Sequence, residues 1–571
     1  MIKYLDKISY ILSGKYNIKI LIILLLTIVM SVLEVFSIAL IVPLMSSLIG
    51  GEAQTTLSNY SQYFFDVPSD KFLIIVLLLF LFIFLTKNIF LMIFNAAKIK
   101  FAYQLYINTS NKLFKNYLYR DYSFFIKQNS SEFIRNVMGE CNVFAFGTIM
   151  SIITLISDLI IILFISVFLL VYDLNSSLFV IMFIFLVGAT LLKFQNNKFK
   201  FWGKIRLKYS GIILQNLQES YGYIKEIIFS GSQKYFIERH FKNNLYSSEA
   251  SIKRDIYSIL PRPLLEVVTL IAFCILIFVL LSLEVEKSQI LILVGVIFFA
   301  SIKLLPSVSN IIKSAQSLKY NSASVDAVYQ ELKEIKKNIK RSDTKKLNKQ
   351  FSKVSLKNVK FSYDGGKKFI MDGVNFEIKR NDKIGIMGKS GGGKTTFLNL
   401  LTGLLVPTSG DIYIDNKRIN TVINQWKKNI GYAHQDTFLA DDTILFNITL
   451  SNNIKKRELT RVWEILKIVD LDQYIKSLKI GLNTIVGERG SKISGGQCQR
   501  LGIARVLFSN PSVLILDEAT SALDEETQKK VLKSIYSNMS EKTIITVSHR
   551  INTLKYCQKV FKITDGKLTK H

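Results

Sequence analysis

Residues 388 to 395 read Gly388-Lys389-Ser390-Gly391-Gly392-Gly393-Lys394-Thr395, set between the apolar run KIGIM at 383–387 and the amphipathic run TTFLNLLTGL at 395–404. The order is strand, glycine-rich turn, helix. Glycines in such a turn let backbone N–H groups close around the oxygens of a phosphate chain. Lys394 adds a point charge, and Thr395, followed by Thr396, offers a hydroxyl to Mg2+. Short β-rich runs, among them Val513-Leu514-Ile515-Leu516, alternate with amphipathic helices around this turn. The C-terminal part is therefore expected to be an α/β domain built on a phosphate loop.

Two further stretches extend the chemistry. The strand 513–516 runs into Asp517-Glu518, where one carboxylate can hold magnesium through water and the next can polarise an attacking water. Phosphoryl transfer needs positioned charge more than covalent help. Between the two lies Ile493-Ser494-Gly495-Gly496-Gln497, followed by CQRLGIARVLF. That pattern places a hydroxyl and free N–H groups at a helix N-terminus, an anion site; a glycine-rich helix cap is the plainer reading of the same residues.

Working outward, the composition divides. Up to about Ser309 the chain is dominated by Ile, Leu, Phe and Val, whereas beyond Leu332 it reads as a charged globular sequence. Mean hydropathy is +0.29 over 571 residues. Six apolar stretches, near 18–42, 72–96, 147–172, 176–193, 263–283 and 288–308, can each cross about 30 Å of hydrocarbon as a helix, the fourth only marginally. Ile18 to Val42 is longer than a signal-peptide core and is expected to remain as a membrane helix. Polar, helix-periodic excursions such as Phe101 to Tyr119 and Phe199 to Ile227 separate spans two and three, and four and five. They predict helices continuing far beyond the membrane, turning back near 120–130 and 229–236.

The net charge is +30, and its position matters more than its size. Basic residues crowd 98–135 and 193–254, while the loops near 52–70, 173 and 284–287 are acidic or nearly neutral. This positive-inside pattern puts the basic stretches in the cytoplasm and accounts for the charge without nucleic acid. Cys141, Cys274, Cys498 and Cys557 have no metal-ligand spacing and imply no disulfide framework. The expected organisation is a transmembrane domain over 1–330, a charged linker over 331–350 and the α/β domain over 351–571.

On these motifs, residues 351–571 closely resemble the nucleotide-binding domain of ABC transporters, with Ile493 where leucine is usual. The resemblance implies an all-α six-helix transmembrane domain with long cytoplasmic extensions, followed by an α/β P-loop nucleotide-binding domain that hydrolyses ATP with Mg2+. By the same resemblance Tyr363 looks like the aromatic that stacks on adenine, and Gln435 like the glutamine that senses magnesium. His434 stands before it where proline is common. Asp524 looks like part of the inter-subunit loop, Glu518 like the residue that activates water, and His549 like the switch histidine on the γ-phosphate. Gly487-Glu488-Arg489-Gly490 resembles a motif found in exporters. In this family the signature 493–497 of one subunit completes the site of the other, so one chain with one cassette implies a homodimer in a bacterial inner membrane, with the cassette cytoplasmic. A soluble relative using the same ATPase for DNA repair is the different-class reading, and six spans argue against it.

Cargo must be read from the membrane half. Lys87 and Lys303 each lie some 15 residues into their spans, roughly 22 Å at 1.5 Å per residue, and Arg262 enters span five from the other side. Two readings stand for them. They form a positive belt for a phosphate or pyrophosphate headgroup, or they snorkel or balance Glu266 and Asp158. PRPLLEVV at 261–268, KLLPSVSNII at 303–312 and Lys87 are similar to bacterial flippases of undecaprenyl-pyrophosphate-linked oligosaccharides, with Asn310 where another basic residue is expected. The resemblance implies membrane lipid and a lipid-linked glycan as partners. A lipid A-like glycolipid, a peptide, or an ATP-gated channel are the alternatives. Tyr60, Tyr63, Phe64 and Phe65 in the first outer loop suggest a lipid-touching helix or simple surface packing.

Overall fold

The computed structural model describes residues 2–12, 16–49, 69–194, 196–338, 347, 351–364, 366 and 368–571. The aromatic residues 60–65 of the first outer loop lie outside them. Two compact units result: residues 1–120 with 125–338, and residues 121–124 with 339–571.

Among its described residues the first unit contains helices and no strands. Its helices are α1 (Ile2–Leu12), α2 (Asn17–Ala39), α3 (Ile41–Ile49), α4 (Ser69–Leu118), α5 (Tyr122–Lys127, whose residues 122–124 are grouped with the second unit), α6 (Ser130–Ile134), α7 (Met150–Tyr172), α8 (Leu174–Phe194), α9 (Asn196–Gly222), α10 (Ile224–Ser230), α11 (Gln233–Ile259), α12 (Pro261–Ser282), α13 (Lys287–Tyr320) and α14 (Ser322–Asn338). Among the described residues, six segments are long and apolar enough to cross a membrane: 17–45, 74–118, 143–172, 174–193, 233–282 and 287–320. The six expected stretches are there, but three run well beyond the apolar runs. α4 alone has 50 residues, about 75 Å of helix against about 30 Å of hydrocarbon. Polar excursions with helical periodicity simply extend the helix, since backbone hydrogen bonds do not depend on what the side chains face.

Local chemistry explains the breaks. Pro261 sits in the first turn of α12, where the missing N–H costs nothing, so α11 and α12 run as one path. Gly231, at φ +64°, ends α10 and starts the reversal into α11. Helices pack through side chains that suit a buried seam. A Cβ at Gly203 of α9 would stand 1.9 Å from the carbonyl oxygen of Tyr320, so only glycine permits that approach. Arg206 of α9 meets Glu140 with both nitrogens, at 3.1 and 2.8 Å, and also donates to Ser324 Oγ at 2.6 Å. Glu140 is fully buried.

The linker start needs correcting. Residues 331–338 are the end of α14, because Leu332 is buried and Arg120 binds Glu331 at 2.7 Å and Glu334 at 2.6 Å. Charge alone looked like solvation; here it is ion pairing on a docked helix.

The second unit holds two sheets. One has strand order β2-β1-β4-β5, from β1 (Lys353–Phe361), β2 (Met371–Lys379), β4 (Ser409–Ile414) and β5 (Lys417–Arg418). The other has order β10-β9-β3-β8-β7-β6, from β3 (Lys383–Gly388), β6 (Ile430–Ala433), β7 (Val513–Asp517), β8 (Thr543–Val547), β9 (Lys559–Thr564) and β10 (Lys567–Lys570). All its pairings are parallel except the β9–β10 hairpin. β7 and β8 are buried at every position, as strands covered on both faces must be, which is why they read as unbroken apolar runs. The helices that matter for the site are α15 (Lys394–Leu401), α16 (Gly495–Phe508) and α17 (Glu525–Asn538).

Candidate functional site

Register brings the sequence motifs together. Ile386 of β3 pairs with Val547 of β8, and Val547 pairs with Asp517 of β7. The residues that follow these strands, 388–393, 518 and 548–549, therefore emerge side by side at the carboxyl edge of a parallel sheet. That edge is where open α/β sheets bind ligands.

The phosphate loop is built from residues that only its geometry demands. Gly391 and Gly393 take φ of +74° and +94°, and a Cβ on Gly393 would meet Met371 Cε at 2.4 Å. Gly392 N–H closes the turn onto Lys389 O at 3.1 Å. Gly388 ends β3, Ser390 lies in the loop, and Thr395 is exposed in the first turn of α15. Lys394 Nζ donates to the Gly388 and Lys389 carbonyls at 3.0 and 3.1 Å. Burial holds its ammonium below the ordinary lysine range, with Glu518 and Asp517 pulling the other way.

Lys394 Nζ also lies 2.9 Å from His549 Nε2, and that nitrogen lies 3.0 Å from Glu518 Oε1. One nitrogen serves one role at a time. Protonated, it donates to Glu518; unprotonated, it accepts from Lys394. Glu518 itself has φ +49°, a left-handed conformation that a glutamate adopts at a cost of order 1–3 kcal/mol and that the fold must hold in place. Its amide donates to Val547 O at 3.1 Å, which pins the strained residue to β8.

Asp517 accepts from Tyr432 Oη at 2.8 Å. Burial raises its carboxyl above the usual range, against the Tyr432 hydrogen bond. The Tyr432 phenol is itself pushed up, first by burial and then by that carboxylate. Beside them the His434 ring lies 4.0 Å from that of Tyr432. Partial desolvation pulls its imidazole down, although its outer edge stays open to solvent. Gln435 follows, exposed beyond the end of β6. Thr395 hydroxyl, Asp517 carboxylate and Gln435 amide are hard oxygen donors, the set that suits Mg2+ when it keeps waters and shares phosphate oxygens. No cluster of three or more His, Cys, Asp or Glu capable of holding a metal occurs among the described residues.

Tyr363 is 46% exposed, edge-on to Phe361 at 4.9 Å, with its hydroxyl 3.3 Å from Thr396 Oγ1. It thus offers a ring beside the phosphate loop. Ser494 and Gln497 close a reciprocal cap on α16: Ser494 Oγ accepts from Gln497 N at 3.3 Å, and Gln497 Oε1 accepts from Ser494 N at 2.9 Å. The Gly495 and Gly496 amides stand in the first turn, where no intrahelical acceptor exists. The helix-cap reading of 493–497 describes this geometry. Asp524 caps α17 by accepting from Thr527 N at 2.9 Å, which holds its carboxyl below the ordinary range.

Two residues of this site escaped the sequence reading. One is Tyr432. The other is Gln499 of α16, 7% exposed, whose amide donates to Gln435 O and Ser521 Oγ at 3.2 and 3.0 Å and accepts from Ala522 N at 2.8 Å. It ties the loop carrying Gln435 to the segment after Glu518. A polar side chain at the third place after two glycines was the only available signal.

In the helical unit, Lys87 and Lys303 do converge, but on a residue the sequence reading overlooked. Lys87 Nζ is 2.8 Å from Glu34 Oε2 and Lys303 Nζ is 3.5 Å from Glu34 Oε1. Neither pairs with Asp158 or Glu266, as had been the alternative: Asp158 faces Ser307 and Asn310, with Lys98 nearby. Arg262 does not join them. It binds Glu266 at 3.0 Å, one turn along α12, with both side chains more than half exposed. A lone Glu in span one was the missed signal.

Residues 371–521 match the family profile described as "ABC transporter". Among curated proteins, the chain is 35% identical over 297 residues to "ABC transporter B family member 29, chloroplastic" of Arabidopsis thaliana, covering 52% of this chain and 46% of that one. It is 37% identical over 219 residues to the "Multidrug resistance ABC transporter ATP-binding and permease protein" of Lactococcus lactis, covering 38% and 36%. It is also 37% identical over 214 residues to the "Alpha-hemolysin translocation ATP-binding protein HlyB" of Escherichia coli O157:H7, covering 37% and 30%. The chain thus matches less than half the length of these relatives. Among solved structures, a bacterial Atm1-family ABC exporter with ATP bound superposes with a TM-score of 0.78 at 20% identity, over 97% of this chain and 95% of that one. The two share the fold of an ABC exporter half: six apolar helices, then the ATPase sheets.

Proposed function

We propose that this chain is one half of a homodimeric, ATP-driven exporter in a bacterial inner membrane, and that its cargo is a lipid-linked oligosaccharide carried on a pyrophosphate. The observation that carries the ATPase reading is the convergence of Lys394, His549 and Glu518 within 3.0 Å contacts at one sheet edge.

The roles we assign combine that geometry with the family resemblance. The amides of 389–394 and the Lys394 ammonium bind the β- and γ-phosphates, and Tyr363 supplies a face for adenine. Bound Mg2+ would neutralise phosphate charge between Thr395, Asp517 and Gln435. Glu518 orients the attacking water, and His549, already in contact with it, is placed to meet the γ-phosphate and steady that carboxylate. The Gly495 and Gly496 amides, with Ser494, offer an anion site to the nucleotide of a second copy, and Ala522 and Leu523, which lead into Asp524, pack against those two glycines. Both sites of a homodimer would be complete.

The cargo reading rests on Lys87 and Lys303, two cations from different helices brought to one place. Its test is transport in proteoliposomes by the full chain, with polyprenyl-pyrophosphate glycans, lipid A and peptides offered in turn. Selective, ATP-dependent turnover of the polyprenyl glycan is expected. Turnover of lipid A or peptide alone would replace the cargo, and ATP hydrolysis that never drives any cargo would favour a gated channel.

A further inference from the structure

The charges that meet between α2, α4 and α13 do not cancel. Glu34 turns one carboxylate oxygen to Lys87 at 2.8 Å and the other to Lys303 at 3.5 Å. Two cations share one anion, so the cluster carries one net positive charge. Among the described residues, Glu34 is the one carboxylate paired with either lysine. The side chains of Lys87 and Glu34 are 6% and 12% exposed, and the Phe84 ring lies 4.8 Å from Lys87 Nζ and 5.8 Å from Lys303 Nζ. A buried charge without a full partner is expensive, and within a membrane span it marks a functional site by default. Charge balance alone would need one lysine here, not two.

The cluster is also lopsided. Lys87 is tightly held and shielded, whereas Lys303 stands beyond ordinary hydrogen-bond reach of Glu34 and keeps 26% of its side chain exposed. An anion entering from that side meets Lys303 first. Phosphate and carboxylate oxygens then compete for the same two ammonium groups, and the carboxylate is tethered where the ligand must bind.

We infer that Glu34 is an internal counter-anion that occupies Lys87 and Lys303 between transport events, is displaced from Lys303 by the phosphate of an anionic lipid, and thereby sets how much negative charge the site accepts. This rests on the proposed exporter function for the class of ligand, a phosphate-bearing amphiphile, and needs no particular glycan. The arithmetic is simple. With Glu34 charged the cluster offers one net positive charge, fewer than the roughly 1.5 to 2 negative charges of a phosphate monoester near pH 7 and fewer still than those of a pyrophosphate. With Gln at 34 both lysine charges are free for the ligand, and the more highly charged pyrophosphate gains most.

The test compares the wild type, Glu34→Gln and Glu34→Asp, as full chains in lipid discs without nucleotide. The probes are polyprenyl monophosphate, polyprenyl pyrophosphate and neutral polyprenol. Glu34→Gln is expected to bind both anionic probes more tightly, the pyrophosphate at least tenfold more so, with polyprenol unchanged and Glu34→Asp close to wild type. Thermal melting covers the case in which Glu34→Gln folds poorly, because a ligand that binds only the folded form stabilises it. The variant's melting point should then rise further with pyrophosphate than the wild type's. Equal or weaker anion binding by folded Glu34→Gln, no anion binding by any variant, or early melting that neither phosphate probe corrects would each overturn the proposal and leave Glu34 as structural charge balance. The cargo reading fails separately: wild-type discs that transport a monophosphate lipid or lipid A but no pyrophosphate glycan would refute it while the Glu34 comparison still stands.

Discussion

At the scale of single residues, the site depends on positions whose conformation is costly. Glu518 is held at φ +49°, and a residue kept there by its neighbours is already oriented before a nucleotide arrives. Replacing it with Gln preserves shape and removes charge. Nucleotide binding should persist while steady-state hydrolysis falls by at least a hundredfold, read by phosphate release alongside binding of a fluorescent ATP analogue. Lys394→Ala should reverse the pattern, with weakened binding as its first effect. Asp517 gives a pH test. Its carboxyl is raised by burial, so its own contribution to stability is present below the ordinary aspartate value and is lost as pH rises through the raised one. Metal must displace that proton. The Mg2+-dependent part of the ATP-induced thermal shift should therefore fade on acidification at a pH above that of an ordinary aspartate, and Asp517→Asn should abolish the Mg2+ dependence at every pH.

At the scale of elements, caps and seams separate structural from functional roles. Ser494 caps α16, and loss of such a cap costs about 1 kcal/mol, or about 2–4 °C in a domain of this size. Ser494→Ala should show that modest loss by melting, yet lose ATP hydrolysis far out of proportion if the hydroxyl also faces a second copy's nucleotide. A loss of activity no larger than the loss of folded protein would reduce Ser494 to its cap. In the helical unit, Arg206 binds the fully buried Glu140 through two nitrogens and reaches Ser324 with one of them. A lysine cannot reproduce that fork. Arg206→Lys should lower stability by about 2–3 kcal/mol for a partly broken charged hydrogen-bond set, read as a lower melting point, and should speed hydrogen exchange in 322–338, the segment that Ser324 anchors. Retained stability would show the pair to be dispensable.

At the scale of the whole molecule, one chain carries one phosphate loop and one Ser494–Gln497 helix start. If the two halves of each site come from different copies, the particle in discs should hold twice the 65.3 kDa chain mass. Mixed dimers of wild-type and Glu518→Gln chains, purified through two tags, should then hydrolyse ATP at well under half the wild-type rate. Half the rate, from sites that work alone, or a monomeric active particle would contradict the homodimer.

The sequence by itself determined the features that are local or periodic. Strand, glycine turn and helix around 388–395 could be read because backbone conformation, residue type and chemistry coincide within a few positions. Six spans could be read because hydrocarbon thickness sets a length that composition reveals. Tertiary structure decided what depends on partners far away in the chain. Lys87 and Lys303 were legible as charges in apolar runs, but Glu34 as their shared partner is set by how α2, α4 and α13 pack, and no periodicity encodes that. Tyr432 took its role from the pairing of β6 with β7, Gln499 took its role from where α16 packs, and residues 331–338 are tied down as helix by an Arg120 more than two hundred positions earlier. Charge and polarity are written in the sequence; which charge meets which is an outcome of packing.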